Sequence, residues 1–322
     1  MRFYSLIIPV YNRPEEIAEL LQSLTKQSYS NFEVIIVEDG STQTCKNEIE
    51  EFADKLDISY FLKENTGQGF SRNFGFEKAK GDYFIVFDSD CIIPGSYLQT
   101  VEDYLSKEQL DAFGGPDKAD KSFTITQKAI NYSMTSIFTT GGIRGNKKHA
   151  GTFHPRSFNM GISREVYDRT GGYIITRMGE DIEFSIRIIN EGFKVGLIEE
   201  AFVYHKRRTS LGQFYSQLHF FGRARINIGR FFPNELKPVH FFPLVFLMGL
   251  FTILVAWFVY TPLFLTGLLL ISVYYGLIFI DSTIKNSSIL VGGLSIITAT
   301  VQLSAYAIGM FEELLKAKPT NI

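Results

Sequence analysis

The stretch Tyr83-Phe84-Ile85-Val86-Phe87-Asp88-Ser89-Asp90 decides the reading of this chain. Five apolar residues of high strand propensity run directly into two carboxylates one residue apart. Gly81-Asp82 reads as the turn that opens the strand, and Cys91-Ile92-Ile93-Pro94-Gly95 as the loop that closes it. An unbroken apolar run suits a strand buried on both faces of a parallel sheet, and such sheets keep ligand sites at the carboxyl ends of their strands. With no basic residue nearby in sequence, the two acids repel each other unless a cation lies between them. Hard divalent ions, Mg2+ or Mn2+, take carboxylate oxygens and bridge to substrate phosphates. A solvated loop carries Asp-Ser-Asp equally well, so the motif gains its weight from the buried strand before it.

Working outward, Tyr4 to Tyr11 reads as a first strand, and Asn12-Arg13-Pro14 as a loop. Ile17, Leu20, Leu21 and Leu24 recur at helical spacing behind it. Phe32 to Val37 is a second strand ending in Glu38-Asp39-Gly40-Ser41, and a helix from about Thr44 to Lys55 follows. Ile58 to Leu62 is a third, shorter strand. Gly67 to Lys80 then reads as a glycine-containing loop opening a helix, with Arg72 and Asn73 near its start. Strands alternating with helices argue a parallel, doubly wound sheet. Each strand end carries polar groups suited to a nucleotide. Asp39 offers an acceptor to a base or ribose, and Arg72 and Asn73 offer donors to phosphate. Taken singly, Asp39-Gly40-Ser41 is a turn and Arg72 a surface charge; their recurrence at successive strand ends is the signal.

The 322 residues suffice for one large or two modest domains. A formal net charge of −2 supplies no global basic field, so nucleic acid is not an expected partner. Cys45 and Cys91, far apart in the chain, fit neither a disulfide framework nor a zinc cluster. Met1-Arg2-Phe3-Tyr4 runs straight into a strand without a signal-peptide pattern.

Four blocks now carry a resemblance: Ser5-Leu6-Ile7-Ile8-Pro9-Val10-Tyr11-Asn12, Val37-Glu38-Asp39-Gly40-Ser41, Gly69-Phe70-Ser71-Arg72-Asn73-Phe74-Gly75 and Phe87-Asp88-Ser89-Asp90. In order and spacing they resemble the inverting family 2 glycosyltransferases, over about the first 230 residues. The resemblance implies a GT-A fold, α/β with a Rossmann-like, mostly parallel sheet, in which a nucleotide-binding half joins an acceptor-binding half. It implies donor contacts from Pro9, Tyr11, Asn12, Asp39, Arg72, Asn73, Asp88 and Ser89. Asp39 falls to the base, Arg72 to the nucleotide and Asp88 to the ribose or sugar. The metal falls to Asp90, with Asp88 beside it.

The second half continues the likeness. Phe113-Gly114-Gly115-Pro116-Asp117 resembles the next strand end of that family, and Ser157 to Arg164 its strand before the catalytic helix. Thr140 to Lys148, rich in Gly and Lys, reads as a surface loop or a mobile acceptor loop. In Gly179-Glu180-Asp181-Ile182-Glu183-Phe184, the residues Ile182, Ser185, Ile186 and Ile189 share a helical face. Glu180 and Asp181 therefore start that helix, where its dipole keeps a carboxylate ionised. Displacement at an anomeric carbon needs one carboxylate to take the acceptor proton. By resemblance Asp181 is that base and Glu180 its support. His205, in Val203-Tyr204-His205-Lys206-Arg207-Arg208, is a further candidate metal ligand, although a lone His is also often structural. Lys206, Arg207 and Arg208 suit a diphosphate, a lipid phosphate or an anionic leaflet equally.

From Leu211 to Phe232 aromatic residues mix with Arg223, Arg225 and Arg230, the pattern of a helix lying on a membrane. Gln213 and Gln217 lack the Arg-Trp partner that processive members of the family carry here, which argues against a polymer-extruding synthase. Composition then changes sharply: Phe241–Tyr260, Pro262–Ile280 and Ile289–Phe311 are each long enough to cross about 30 Å of hydrocarbon. Basic residues from Lys206 to Lys237 put the enzyme domain on the cytoplasmic side of a cell membrane, multi-pass. Three crossings leave the C-terminus outside, whereas Lys316 and Lys318 favour the inside, so two or three crossings remain open.

The expectation is thus a catalytic domain over 1–235, with a donor half over 1–117, an acceptor half over 118–210 and an interfacial helix over 211–235. A transmembrane region over 238–313 follows. Its activity is metal-dependent inverting transfer of a sugar from a nucleoside diphosphate donor, most simply uridine, to a hydroxyl acceptor on a glycan or lipid-linked saccharide. The rivals are transfer to a polyprenyl phosphate and a catalytically silent nucleotide-binding membrane scaffold.

Overall fold

The computed structural model describes residues 1–118, 123–140 and 153–316. In chain order the elements are β1 (Tyr4–Val10), α1 (Pro14–Leu24), β2 (Phe32–Asp39), α2 (Lys46–Glu50), β3 (Ile58–Lys63), α3 (Gln68–Lys78), β4 (Tyr83–Phe87), β5 (Cys91–Ile92), α4 (Tyr97–Lys107), β6 (Ala112–Gly114) and β7 (Asp117–Lys118). There follow α5 (Ile125–Thr135), α6 (Ile137–Thr140), β8 (Asn159–Ser163), α7 (Arg164–Thr170), α8 (Glu180–Asn190), β9 (Val195–Leu197), β10 (Val203–His205), α9 (Leu211–Phe231), α10 (Phe242–Val259), α11 (Thr261–Asn286) and α12 (Ile289–Leu314). The described residues form two compact units, one within Met1–Asp120 and Gly151–Lys206, the other within Lys121–Ala150 and Arg207–Thr320.

The first unit is built on a seven-stranded sheet of order β3-β2-β1-β4-β8-β6-β9. β3, β2, β1 and β4 run parallel, β8 runs antiparallel to β4 and β6, and β9 is parallel to β6. This is the expected mostly parallel, Rossmann-like sheet. Successive side chains point to opposite faces of a strand, and here both faces are covered. Leu6, Ile8, Val34, Ile36 and Ile85 pack with Ile17, Leu21 and Leu24 of α1. Ile7, Ile35, Val37, Phe84 and Val86 pack with Phe76 of α3 and Phe184 of α8 on the other side. Each fully buried side chain of this kind contributes about 1.5–3 kcal/mol, which is why the apolar runs are continuous. Parallel pairing of Tyr4 with both Phe32 and Tyr83 aligns the carboxyl ends of β1, β2 and β4 along one edge.

Three local expectations are corrected. α2 is shorter than Thr44–Lys55: beyond Glu50 the chain continues in tight turns, with Phe52 N–H donating to Ile49 at 3.0 Å and Lys55 N–H to Phe52 at 2.9 Å. Cys91-Ile92 is no simple loop but β5, the edge of a second sheet of order β5-β10-β7, antiparallel to β10. α3 begins at Gln68, so Arg72 and Asn73 lie in its second turn and not at its start.

In the second unit α5 and α6 group with the C-terminal helices, whereas the sequence placed them in the acceptor half. α5 carries a capping box at Thr124 and Gln127. Its Ile130 and Met134 pack with Phe214, Leu218 and Ala305, and Ser133 shares a 2.6 Å hydrogen bond with Thr298. The Gly/Lys-rich residues 141–148 lie outside the described residues. α9 is one continuous helix whose buried face is taken by α12: a Cβ on Gly222 would stand 2.1 Å from the Tyr306 carbonyl, and one on Gly309 2.1 Å from that of His219. Glu313 of α12, fully buried, accepts from Arg223 at 3.1 Å and Arg230 at 3.4 Å. Three helices, Pro238–Val259, Thr261–Asn286 and Ile289–Leu314, are long and apolar enough to cross a membrane, close to the expected spans.

Candidate active site

The site lies along the carboxyl edge of β1, β2 and β4, because parallel strands deliver every following loop to the same edge. After β1 the chain turns through Asn12, whose φ of 52° is a left-handed conformation that Asn tolerates better than most residues. Asn12 N–H donates to Ser41 Oγ at 2.8 Å, and Asn12 Oδ1 accepts from the backbone of Thr42 and Gln43, both at 2.9 Å. It therefore ties the first loop to the second. Tyr11 beside it is half exposed, and Pro9 pairs with Val37 inside the sheet.

Asp39 ends β2 with both oxygens engaged by the next loop. It accepts from Lys63 Nζ at 2.5 Å, Thr66 N–H at 2.9 Å and Gly67 N–H at 2.8 Å. Burial works to raise its pKa, but these donors hold it below the ordinary carboxylate value. Gly40, with φ of 73°, passes so close to Asn65 that a Cβ would meet its backbone nitrogen at 2.7 Å. The lack of a side chain at this glycine thus admits the protein's own loop.

β4 hands over to Asp88, Ser89 and Asp90, with Ser89 and Asp90 buried. The tertiary fold supplies the cations that the local sequence lacks, one to each acid. Arg72 Nη2 lies 2.9 Å from Asp88 Oδ1, and Arg13 Nη1 lies 2.7 Å from Asp90 Oδ2. The other oxygen of Asp90 lies 3.0 Å from His205 Nε2, because β10 pairs with β5 and aligns His205 with Cys91. The His205 ring stacks on Phe158 at 5.1 Å. Burial pushes the Asp90 carboxyl up, yet His205 and Arg13 outweigh it and hold the group well below the usual range.

Arg72 is buried and contacts protein on all sides. Its second amino group donates to Glu180 Oε1 at 3.1 Å, and its guanidinium lies 5.4 Å from the Tyr173 ring centre. Asn73 is likewise committed: Nδ2 donates to the Tyr173 carbonyl at 2.7 Å and Oδ1 accepts from its N–H at 2.8 Å. The two amino groups of Arg72 and the Asn73 amide thus bind protein groups, while Arg72 Nε, buried, meets no acceptor among the described residues; both side chains brace the segment that leads into α8. That segment passes through Met178, buried at φ of 61°, a strained backbone of the kind concentrated at functional sites.

Glu180 and Asp181 open α8 as expected, but they differ. Glu180 is buried and also accepts from Gln68. Burial and the neighbouring Asp181 raise its pKa against the pull of Arg72, so the helix dipole does not decide its charge. Asp181 keeps part of its side chain in solvent and lies 3.4 Å from Arg156 Nη1. Asp88, Arg72 and Glu180 thus form a continuous ion-pair chain from the Asp-Ser-Asp end of β4 to the helix that carries Asp181.

Among the described residues, Asp90, Cys91 and His205 form one group with ligand atoms within 4.8 Å of one another. The Cys91 thiol donates towards the Phe158 carbonyl, and burial together with Asp90 and Asp88 pushes its pKa well up, so it stays a protonated and poor ligand. A carboxylate and an imidazole with facing atoms 3.0 Å apart fit a small divalent ion, and the imidazole makes the pair a softer donor set than the all-oxygen shell that suits Mg2+.

Residues 5–171 match the family described as glycosyl transferase family 2, which is just over half of the chain. The chain belongs to glycosyl transferase family 2. It is 29% identical over 220 residues to an uncharacterized glycosyltransferase of Haemophilus influenzae, covering 64% of this chain and 70% of that one. It is 27% identical over 300 residues, covering 88% and 87%, to a Methanococcus voltae enzyme named dolichyl N-acetyl-alpha-D-glucosaminyl phosphate 3-beta-D-2,3-diacetamido-2,3-dideoxy-beta-D-glucuronosyltransferase. Its fold is that of a Pyrobaculum calidifontis mannosyltransferase solved with GDP-Man and Mn2+, at a TM-score of 0.72, 14% identity and coverage of 98% and 88%. This family 2 glycosyltransferase therefore has a GT-A domain followed by apolar helices. Reasoning from its motifs missed Arg13, Gln68, Lys63 and Arg156. Arg13 had one legible signal: the loop after β1 must open onto the same edge as Asp90.

Proposed function

We propose that this glycosyltransferase is an inverting, divalent-metal-dependent enzyme of a membrane face. It moves a sugar from a nucleoside diphosphate donor, UDP-linked in the simplest case, to a hydroxyl of a lipid-linked saccharide or glycan. The observation that carries the reading is the chain Asp88–Arg72–Glu180, which ties the Asp-Ser-Asp loop that also bears Asp90 to the helix that bears the partly exposed Asp181. Asp90 and His205, with Asp88 beside them, would hold the ion, which when bound neutralises charge on the diphosphate. Asp181 takes the proton of the acceptor hydroxyl as its oxygen forms the new bond to the anomeric carbon. The old bond from that carbon to the diphosphate oxygen breaks, and its electron pair leaves with the nucleotide. One displacement at one carbon inverts its configuration. Glu180, buried and braced by Arg72 and Gln68, fixes the start of α8 so that Asp181 meets the acceptor in one orientation. Asp39 and Asn12 shape the loops on which base and ribose rest, and Tyr11 offers an exposed ring to the base.

The name of the Methanococcus voltae relative supports a lipid-linked sugar acceptor, and the three apolar helices support a multi-pass anchor. The basic stretch Lys206 to Lys237 supports a cytoplasmic catalytic unit. One observation favours a second reading: Arg156, 3.4 Å from Asp181, is placed to receive a phosphate. Transfer to a polyprenyl phosphate needs no strong base, so Arg156 would then be the acceptor contact. A screen of UDP- and GDP-sugars with Mn2+ or Mg2+ on detergent-purified protein, with Asp90→Ala and Asp181→Asn alongside, separates the readings. Metal-dependent turnover lost in both variants supports the hydroxyl acceptor. Turnover surviving Asp181→Asn supports the lipid phosphate. Nucleotide binding without turnover under any donor overturns both.

A further inference from the structure

We propose that Arg13 is the built-in counter-ion of the metal site, yielding Asp90 only when a divalent cation arrives together with a nucleoside diphosphate. The proposal rests on the metal reading above and adds the coupling of the two ligands. Arg13 immediately precedes α1, and its side chain makes no capping bond to that helix. It reaches instead across the edge of the sheet to Asp90 Oδ2 at 2.7 Å, with its side chain two-thirds buried and that of Asp90 nine-tenths buried. Asp90 Oδ1 is turned to His205 at 3.0 Å. Both carboxylate oxygens are thus already facing a partner. Lys206, which directly follows β10, is drawn off by Glu19.

An ion held by Asp90 and His205 would replace the direct contact between those two atoms while a guanidinium sits on the opposite oxygen. Cation faces cation at short range in a poorly solvated place, so the metal alone binds against Arg13. A diphosphate reverses the sign of the problem. Its charge screens the ion from Arg13, and the planar fork of Arg13 can move from carboxylate to phosphate oxygens with matching geometry. Metal and nucleotide then raise each other's affinity, by the same factor in both directions. Arg13 guards the acids against stray cations when no donor is present, and holds the leaving group when one is.

The test is Mn2+ binding to the full-length, detergent-purified protein, by calorimetry and electron paramagnetic resonance, with and without UDP or GDP. Wild-type protein should bind Mn2+ at least ten times more tightly with nucleotide than without. Arg13→Gln should bind Mn2+ alone about tenfold more tightly, and UDP at saturating Mn2+ about tenfold more weakly, so that the coupling collapses. Arg13→Lys, which keeps the charge and loses the fork, should lie between, and it carries the test if Arg13→Gln does not melt as wild type does. Unchanged or weaker binding of Mn2+ alone in both variants overturns the proposal. Mn2+ binding that is absent from the wild type with either nucleotide, or that survives Asp90→Ala, overturns the metal reading itself and this proposal with it.

Discussion

Arg72 Nη1 lies 3.1 Å from Glu180 Oε1, joining α3 to the first turn of α8 across more than a hundred residues of chain. The same guanidinium holds Asp88 at 2.9 Å. Removing one partner of a buried pair leaves the other charge uncompensated, at a cost of about 3–5 kcal/mol. Arg72→Ala should therefore lower the melting temperature by roughly 10 °C for a unit of this size. Arg72→Lys should not restore it, because one ammonium cannot serve two carboxylates in a fork. Melting curves decide. A variant that melts like wild type but binds nucleotide poorly would return Arg72 to the direct nucleotide contact that the sequence suggested.

Asn73 holds Tyr173 by both its N–H and its carbonyl, and Gly172 packs so close that a Cβ would meet Asn73 Oδ1 at 2.3 Å. Asn73→Ala leaves two backbone groups without that partner, a loss of about 1–3 kcal/mol. The segment leading to Asp181 loosens, so kcat should fall while nucleotide affinity changes little. Calorimetric titration of UDP beside steady-state rates would expose the opposite pattern, which would make Asn73 a donor contact.

Asp39 gives the pH dependence a definite sign. Its folded pKa lies below the unfolded value of about 3.9, because Lys63, the Thr66 N–H and Ser71 outweigh burial. The stabilisation is therefore present above that unfolded value and is lost as pH falls through the folded one. Asp39→Asn should melt below wild type at pH 6, and the gap should narrow steadily on acidification towards pH 3. A gap that stays constant with pH would mean that packing, not charge, is what the substitution removes.

Gly222 lets α9 and α12 meet backbone to backbone, since even one methyl would stand 2.1 Å from the Tyr306 carbonyl. Gly222→Ala must force the helices apart, and overpacking of this kind costs about 1–3 kcal/mol. The expected result is a lower melting temperature in detergent with the far-ultraviolet spectrum intact. Gly249 of α10, which has open space around it, is the control: its Ala variant should melt as wild type does.

The strands β1 to β4 were legible because each is a mainly apolar run bounded by turn residues, and local patterning is what such runs encode. Ile7 and Ile8 must face opposite helical layers whatever lies further along the chain. α2 was overread: Ile49, Phe52 and Leu56 keep a buried face at near-helical spacing although the chain beyond Glu50 only turns. β5, β7 and β10 were illegible, since a strand of two or three residues has no period to detect. Yet the pairing of β5 with β10 is what puts His205 against Asp90.

The chemistry divides the same way. That Asp88, Asp90, Glu180 and Asp181 stand at the ends of a strand and a helix followed from the sequence by itself, because apolar spacing and turn chemistry are local properties. So did the change from a charged catalytic segment to apolar helices. Which charges those acids face did not follow. Arg13 and Arg72 come to Asp90 and Asp88 from 77 and 16 positions away, Glu180 reaches Arg72 over 108, and α5 leaves its sequence neighbours for α12. Ion pairing inside a protein depends on distance and burial, and both are set by how the sheet edges and helices close on one another, so tertiary structure alone decided which of these groups share a site.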